Sequence, residues 1–507
     1  MDNCKSITAN QIDKPQSNCG VVGIYGHPQA SIMAYYMLHS LQHRGQETAG
    51  ITTFFKDNNK WEYATHRKNG LVLNVFEDQK IFTEKLIGNM AVAHNKYATR
   101  SNAMDSNIQP FNMHYAKGIL SLSHNGNITN AKSLRKELED KGAIFSSTTD
   151  SELFLHLIAH SQKKTQVEQI LEALSIVRGA YSLAMLTEEG LVAARDPNGV
   201  RPLSLGKLTF KDENDKEQIA YLVASETCAF DIIGAEEIRS INHNELILIN
   251  DETLATGEIK SYNIYNTDNI LAQTPIAHHC IFEYIYFARP DSRVFGHNVD
   301  KVRRKLGKNL AEEHPAFPTK DGKKVTVISV PDSGNTSALG YARSNDEINK
   351  IDSVFEIGLI RSHYVGRTFI QVGQDNREFK VKSKFNPVKG VIEDRNIVMV
   401  DDSIVRGTTS KSLIKLIRSA NPAELHLRIT SPLVTCPCHY GMDFPTKKEL
   451  IANHFDTTEE IGNELGVDSL HYLSIKKLME SVPQDPGIEY CTACFTGNYP
   501  IEIEKEG

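Results

Sequence analysis

The sequence contains no apolar run near the ~18 residues that a membrane-spanning helix needs, which argues against a membrane protein of that kind. Residues 1 to 18 are too polar to hold a secretory apolar segment, so the expected compartment is cytoplasmic. Only 8 cysteines occur in 507 residues, at positions 4, 19, 228, 280, 436, 438, 491 and 494. They are too sparse and uneven for a disulfide scaffold, which leaves catalysis, metal binding or simple burial, the last expected for Cys228 and Cys436. Neither sign of charge dominates: 56 Lys and Arg stand against 63 Asp and Glu, a net charge of -7, so nothing indicates nucleic acid or membrane as a partner. Internal repeats and low-complexity tracts are missing too. What is there is ordinary globular composition, 40% hydrophobic and 23% charged, in a chain too long for one core. Two large domains are the simplest organisation.

The texture changes along the chain. From about residue 19 to 265, short β-like runs such as the one opening Gly20-Val21-Val22-Gly23 mix with a few amphipathic helices, one expected over Tyr36 to Gln42. Beyond about 280, strand and helix alternate: Val325 to Val330, Ile397 to Val400 and Leu425 to Ile429 are continuous apolar strand candidates. That order predicts a parallel α/β sheet in the second half. Tyr262 to Ala277 reads as a connector. The expected boundaries are therefore a leader at 1–18, a first domain at 19–265 and a second at 266–507.

Three constellations carry chemistry. In Asn18-Cys19-Gly20-Val21, a thiol directly precedes a β run and follows a polar leader. If the leader is cut after Asn18, thiol and free α-amine share one residue. The amine, with a pKa of about 7.7 to 8.0, suits proton removal from a thiol of pKa about 8.5. An inert buried cysteine is the competing explanation, as an ordinary turn is for Asn125-Gly126. In the second, the apolar Ile397 to Val400 leads into Asp401-Asp402-Ser403-Ile404-Val405-Arg406-Gly407-Thr408-Thr409-Ser410, then into helical spacing of Leu413, Ile414, Leu416, Ile417 and Ala420. Strand, loop and helix in that order suit a phosphate, because the helix's first amides face outward and glycine lets backbone approach closely. The two carboxylates at the strand's end suit ribose hydroxyls or magnesium. The third is Cys491-Thr492-Ala493-Cys494, which alone is compatible with redox, zinc or iron–sulfur chemistry.

Longer strings narrow these alternatives. LQHRGQETAGI (with Arg44 and Gly45), SHNGNITNA (Asn125, Gly126), SSTTDSELFLHL (Asp150) and AARDPNGVRPLSLGK resemble amidotransferases that use an N-terminal cysteine. The string from Ile397 to Ser410 resembles the signature of type I phosphoribosyltransferases. Together they make the chain similar to the amidophosphoribosyltransferase family, which forms phosphoribosylamine from phosphoribosyl pyrophosphate at the first committed step of purine synthesis. The resemblance implies an N-terminal Ntn-hydrolase-type αββα glutaminase domain and a C-terminal phosphoribosyltransferase domain on a parallel sheet. It implies Cys19 as nucleophile, Asn125 and Gly126 as oxyanion donors, and Arg44, Lys96 and Asp150 around glutamine. It further implies Arg367, Asp401, Asp402, Ser403, Arg406, Gly407, Thr408, Thr409 and Ser410 around phosphoribosyl pyrophosphate, with Ser333, Asp401 and Asp402 about one Mg2+ per subunit. The phrases from Cys280 to Ser292 and from Pro437 to Asp443 match the subgroup with a cleaved leader and one 4Fe-4S cluster per subunit, held by Cys280, Cys438, Cys491 and Cys494. Zinc is the simpler competitor there, and Cys436 an alternative ligand to Cys438.

Glutamine, phosphoribosyl pyrophosphate and inhibitory purine nucleotides are the implied partners, in a homotetramer, with ammonia passing between the sites and a loop at about 366 to 390 closing over the second. Three departures stand out. Lys96 replaces the arginine of a His-x-Arg-Tyr segment, and a point charge binds carboxylate less rigidly than a guanidinium fork, so Arg100 is an alternative. Arg361 and His363 replace residues of a Lys-Asn-Arg-Tyr segment. Lys96, Arg361 and His363 are the support for a second reading, a regulator that binds phosphoribosyl pyrophosphate or nucleotides without turnover.

Overall fold

The computed structural model describes residues 19–58, 60–96, 105–265, 276–317, 324–362, 384–442, 444 and 446–504. The expected leader, Arg100, His363 and Arg367 lie outside the described residues, as does most of the expected closing loop.

The first half is built on two antiparallel sheets. In one, seven strands run in the order Glu236–Ser240, Ser204–Lys211, Glu217–Ala224, Cys19–Tyr25, Met90–Lys96, Thr48–Asp57, Lys60–Asn69. In the other, six strands run Lys260–Asn263, Glu245–Ile249, Gly190–Arg195, Gly179–Thr187, Gly118–Ile128, Phe111–Tyr115. The strand Cys19–Tyr25 shows why the sheets stack. Val21 and Tyr25 join a core between the sheets with Ala184, Leu186 and Leu191, while Val22 and Ile24 point the other way, onto Ala34, Met37 and Leu38 of the helix Ala30–Ser40. A strand apolar on both faces is buried on both faces. The six-stranded sheet buries its outer face likewise, against the helices Glu152–His160 and Gln166–Ile176, through Leu153, Phe154, Ile170 and Leu174. The result is the expected αββα layering.

The second half holds a five-stranded sheet, parallel throughout, in the order Ser353–Phe355, Val325–Ser329, Asn396–Asp401, Glu424–Ile429, Ser469–Tyr472. In chain order this is 2-1-3-4-5, so the strand order reverses between Val325–Ser329 and Asn396–Asp401. A crevice opens at the carboxyl ends of the strands on either side of such a switch point, and ligands bind there. Residues within a strand alternate faces: Val398 and Val400 enter one core, Ile397 and Met399 another. The first of these cores also contains Ala180 and Val200 from the first half. One hydrophobic cluster therefore spans both halves.

Two expectations need correction. The helix expected to carry Tyr36 to Gln42 runs Ala30–Ser40, so it carries Tyr36 but ends two residues short of Gln42, with Leu41 as its cap. The connector is shorter than Tyr262 to Ala277: Tyr262 lies in the edge strand Lys260–Asn263, and Ala277 opens the strand Ala277–Cys280. The latter pairs in parallel with Ile488–Cys491, and in that register Cys280 faces Cys491.

Candidate active sites

Cys19 opens its strand opposite Lys96, which also pairs with Thr48. Its main-chain nitrogen lies 3.3 Å from Asn125 Oδ1. Asn125 itself is 1% exposed, and its Nδ2 is a buried donor with no partner. A buried N–H left unpaired costs free energy, so such a group beside a nucleophile is what a site for a developing oxyanion would contain. Asp150 is oriented by the Ile128 N–H, which donates to Oδ2 at 2.8 Å. Burial raises the Cys19 thiol pKa, opposed by the positive charges of Lys96, Arg201 and Arg44, while Asp150 adds to the rise. The fold thus brings Cys19, Asn125, Lys96, Asp150 and Arg44 together from segments far apart in sequence.

Arg44 departs from a simple glutamine ligand. It is 1% exposed, its Nη2 donates to Glu283 Oε2 at 2.6 Å, and its Nε faces Glu226 Oε1 at 2.9 Å. Glu226 also meets His43 Nε2 at 2.7 Å and accepts from the Arg289 N–H at 2.9 Å and the Ser292 hydroxyl at 2.7 Å. Burial opposes ionisation of Glu226, yet His43 and Arg44 outweigh it and hold the carboxyl well below its usual range. Sequence reasoning missed Glu226, Glu283 and Arg201. The last two sit inside the phrases quoted above, but nothing local marks a pairing across more than 80 residues.

The loop after Cys438 completes this site from the second half. The His439 carbonyl accepts from Asn127 Nδ2 at 2.9 Å, and the Tyr440 carbonyl from Arg201 Nη2 at 2.8 Å. Gly441 has φ +99°, and a Cβ there would stand 3.1 Å from both Arg201 Nη2 and the Gly126 carbonyl carbon. Only glycine lets this backbone lie on the neighbour of Asn125.

His94, two residues before Lys96, is wholly buried, and its Nε2–H donates to the His124 carbonyl at 3.1 Å. Burial lowers its pKa from 6.5 to about 3. The folded state therefore keeps His94 neutral. Its contribution to stability is complete above pH 6.5 and is lost progressively as pH falls toward 3. From pH 7.5 to 5.0 that loss is about 2 kcal/mol, at about 1.4 kcal/mol per pH unit below the unfolded value. In His94→Gln the difference in unfolding free energy between those two pH values should shrink by about 2 kcal/mol, as read from urea titrations.

At the switch point of the parallel sheet, Asp401 ends its strand and Asp402 follows, both buried. Asp401 Oδ1 accepts the Asp402 N–H at 2.9 Å. Asp402 Oδ1 accepts the Ser403 hydroxyl at 2.6 Å, and its Oδ2 accepts the Ser333 hydroxyl. Ser333 lies in the turn after the neighbouring strand, so the two sides of the crevice meet here, and Arg361 joins through Asp332 at 2.7 Å. Gly407, at φ +80°, turns the chain into the helix Thr408–Arg418, and a Cβ on it would meet Ile451 Cδ1 at 2.4 Å. Arg406 lies 3.2 Å from Glu449. Thr408, Thr409 and Ser410 form the first turn of that helix.

Cys280, Cys438, Cys491 and Cys494 lie in or against one core cluster, with no disulfide among them. Burial pushes the Cys280 thiol up to about 12 and raises Cys491 and Cys494 further, and Cys438 acts electrostatically on all three. The Tyr440 N–H points at Cys438 Sγ over 3.4 Å. Among the described residues no three His, Cys, Asp or Glu side chains are close enough together to form a metal site outright. Cys228 and Cys436 are buried as expected, Cys228 with its pKa raised to about 12 by burial and then by Glu226.

A cysteine heading an αββα stack, joined to a parallel sheet with an acidic switch-point loop, defines a two-part enzyme: an Ntn-type glutamine amidotransferase fused to a phosphoribosyltransferase. A family model described as a glutamine amidotransferase domain matches residues 94–231. The amidophosphoribosyltransferase of Bacillus subtilis is 42% identical over 96% of this chain and 95% of its own length. The chloroplastic one of Vigna aconitifolia is 44% identical over 98% and 94%. The solved glutamine phosphoribosylpyrophosphate amidotransferase from Bacillus subtilis, complexed with ADP and GMP, superposes with a TM-score of 0.82 at 41% identity, covering 96% of this chain and 98% of that one. A structure described as the allosteric regulatory enzyme of purine biosynthesis gives 0.83 at 41%, covering 96% and 97%. The chain belongs to the amidophosphoribosyltransferase family. No helix among the described residues is long and apolar enough to cross a membrane.

Proposed function

We propose that the chain converts glutamine, phosphoribosyl pyrophosphate and water into 5-phosphoribosylamine, glutamate and pyrophosphate, and that it does so after cleavage between Asn18 and Cys19. The observation that carries the first half-reaction is the pairing of the Cys19 nitrogen with Asn125 Oδ1, which leaves Nδ2 unpartnered. Cys19 Sγ attacks the glutamine carboxamide carbon, its proton passing to the freed α-amine. Asn125 Nδ2 and the Gly126 amide take the charge developing on oxygen. Nitrogen leaves as ammonia, and water hydrolyses the thioester to glutamate. Lys96 and Asp150 hold the α-carboxylate and α-amino groups. Arg44, committed to two carboxylates, contributes charge and shape.

In the second half-reaction ammonia attacks C1 of the ribose as pyrophosphate departs. Arg406, Gly407, Thr408, Thr409 and Ser410 hold the 5'-phosphate at the helix start, and Asp401, Asp402 and Ser403 the ribose. Arg367 completes the pyrophosphate side. Ser333, Asp401 and Asp402 would hold Mg2+, which would neutralise charge on the leaving pyrophosphate. A dry path between the two sites would keep ammonia away from bulk water, where it is mostly protonated.

We assign Cys280, Cys438, Cys491 and Cys494 to a 4Fe-4S cluster, which would supply a structural cross-link. An all-thiol donor set suits it, and the register of Cys280 against Cys491 brings two of the four together. Equal amounts of iron and acid-labile sulfide in purified protein support this reading, and one zinc per subunit overturns it. The ADP and GMP complex of the Bacillus subtilis relative extends here as inhibition by purine nucleotides, and a homotetramer is the assembly we assign.

The function is tested by following glutamate release with and without phosphoribosyl pyrophosphate, alongside pyrophosphate formation. Both products are expected. Binding of phosphoribosyl pyrophosphate without either one would favour the non-catalytic regulator. Intact mass and N-terminal sequencing should find Cys19 first in the active protein, and Met1 retained on fully active enzyme would remove the proposed base.

A further inference from the structure

Glu283 lies three residues beyond Cys280, at the start of the helical turn Glu283–Phe287, yet its carboxylate is spent on the other half of the chain. Oε2 accepts from Arg44 Nη2 at 2.6 Å and Nη1 at 3.2 Å, and Oε1 accepts from Arg201 Nη1 at 3.2 Å. All three side chains are 0% exposed. Arg201 continues through Nε and Nη2 to the Tyr440 carbonyl, at 3.0 and 2.8 Å, and so to the loop that lies on Gly126. The turn carrying Glu283 is clamped from behind by buried Arg303, whose Nε and Nη2 donate to the carbonyls of Tyr284 and Ala288, each at 2.8 Å.

Two guanidinium groups in a dry interior repel each other and are costly to bury singly. Glu283 offers an oxygen to each and, with Glu226 on Arg44 Nε, lets both remain close to the thiol. Resting on the amidotransferase reading, we propose that Glu283 is a positioning residue, supplied by the phosphoribosyltransferase half, that fixes Arg44 and Arg201 as the cationic wall of the Cys19 site. It touches neither glutamine nor the reacting atoms. The electrostatic influence of both arginines on Cys19 agrees with this placement.

The test compares Glu283→Gln and Glu283→Asp with the parent as leader-processed, cluster-loaded enzyme, using glutamine or ammonium as nitrogen donor. In Glu283→Gln the glutamine-dependent kcat should fall about 10²-fold, the loss typical of a misplaced site group. The KM for glutamine should change less than kcat, and ammonium-dependent synthesis should stay within about twofold of the parent, as expected for a group acting only on the glutaminase side. Glu283→Asp, which keeps the charge on a shorter arm, should recover part of the kcat. Should the Gln variant fail to fold, the Asp variant carries the same comparison: a selective loss with glutamine supports the proposal. Equal losses with both donors, or an unchanged glutamine kcat, overturn it. A parent that releases no glutamate would sink the amidotransferase reading instead, and the two failures are thereby distinct.

Discussion

Cys19→Ala is expected to abolish glutamate release, by about 10⁴-fold or more as for loss of other enzymic nucleophiles, while ammonium still supports phosphoribosylamine formation. The asymmetry follows from position. Cys19 begins a strand of the seven-stranded antiparallel sheet, whereas Asp401 ends a strand of the parallel sheet, in the other half of the chain. Removing a thiol leaves the second crevice untouched. The check is a paired assay of glutamate and pyrophosphate, and a variant still converting glutamine at the parental rate would refute the assignment of the nucleophile.

Asp402→Asn produces the complementary lesion. Asp402 gathers hydroxyls from both sides of the switch point, Ser403 on its own loop and Ser333 from the neighbouring one. The amide keeps the volume but offers one acceptor and no charge. Pyrophosphate formation should fall about 10²- to 10³-fold with either nitrogen donor, the scale of losing one preorganised electrostatic contact in a dry site. Steady-state rates with ammonium isolate the effect from glutamine chemistry, and a variant within twofold of the parent would show that Asp402 serves only the loop's own structure.

How much of this the sequence discloses depends on range. The strand candidates Val325 to Val330, Ile397 to Val400 and Leu425 to Ile429 all lie within a residue or two of observed strands, because a continuous apolar run between turn residues has few other solutions. Cys19, Asn125 and Asp150 are legible as motif members, and the fold brings them together. The edge strand Lys260–Asn263 is not legible, since its polar, largely exposed residues carry no alternation to detect. Nor is the chain of buried charges from Glu226 through Arg44 and Glu283 to Arg201. Each pairing there is specified by tertiary packing alone, and the sequence offers no period or spacing that would announce it.

The parallel pairing of Ala277–Cys280 with Ile488–Cys491 has a temporal consequence. A strand whose partner lies about two hundred residues downstream waits on the ribosome for it, about 10 to 40 s at ordinary rates of synthesis. The αββα half can settle during that interval. The seam through which His439 and Tyr440 meet it is finished only once the later strand has emerged, so the nascent molecule acquires a folded first half before it acquires a joint.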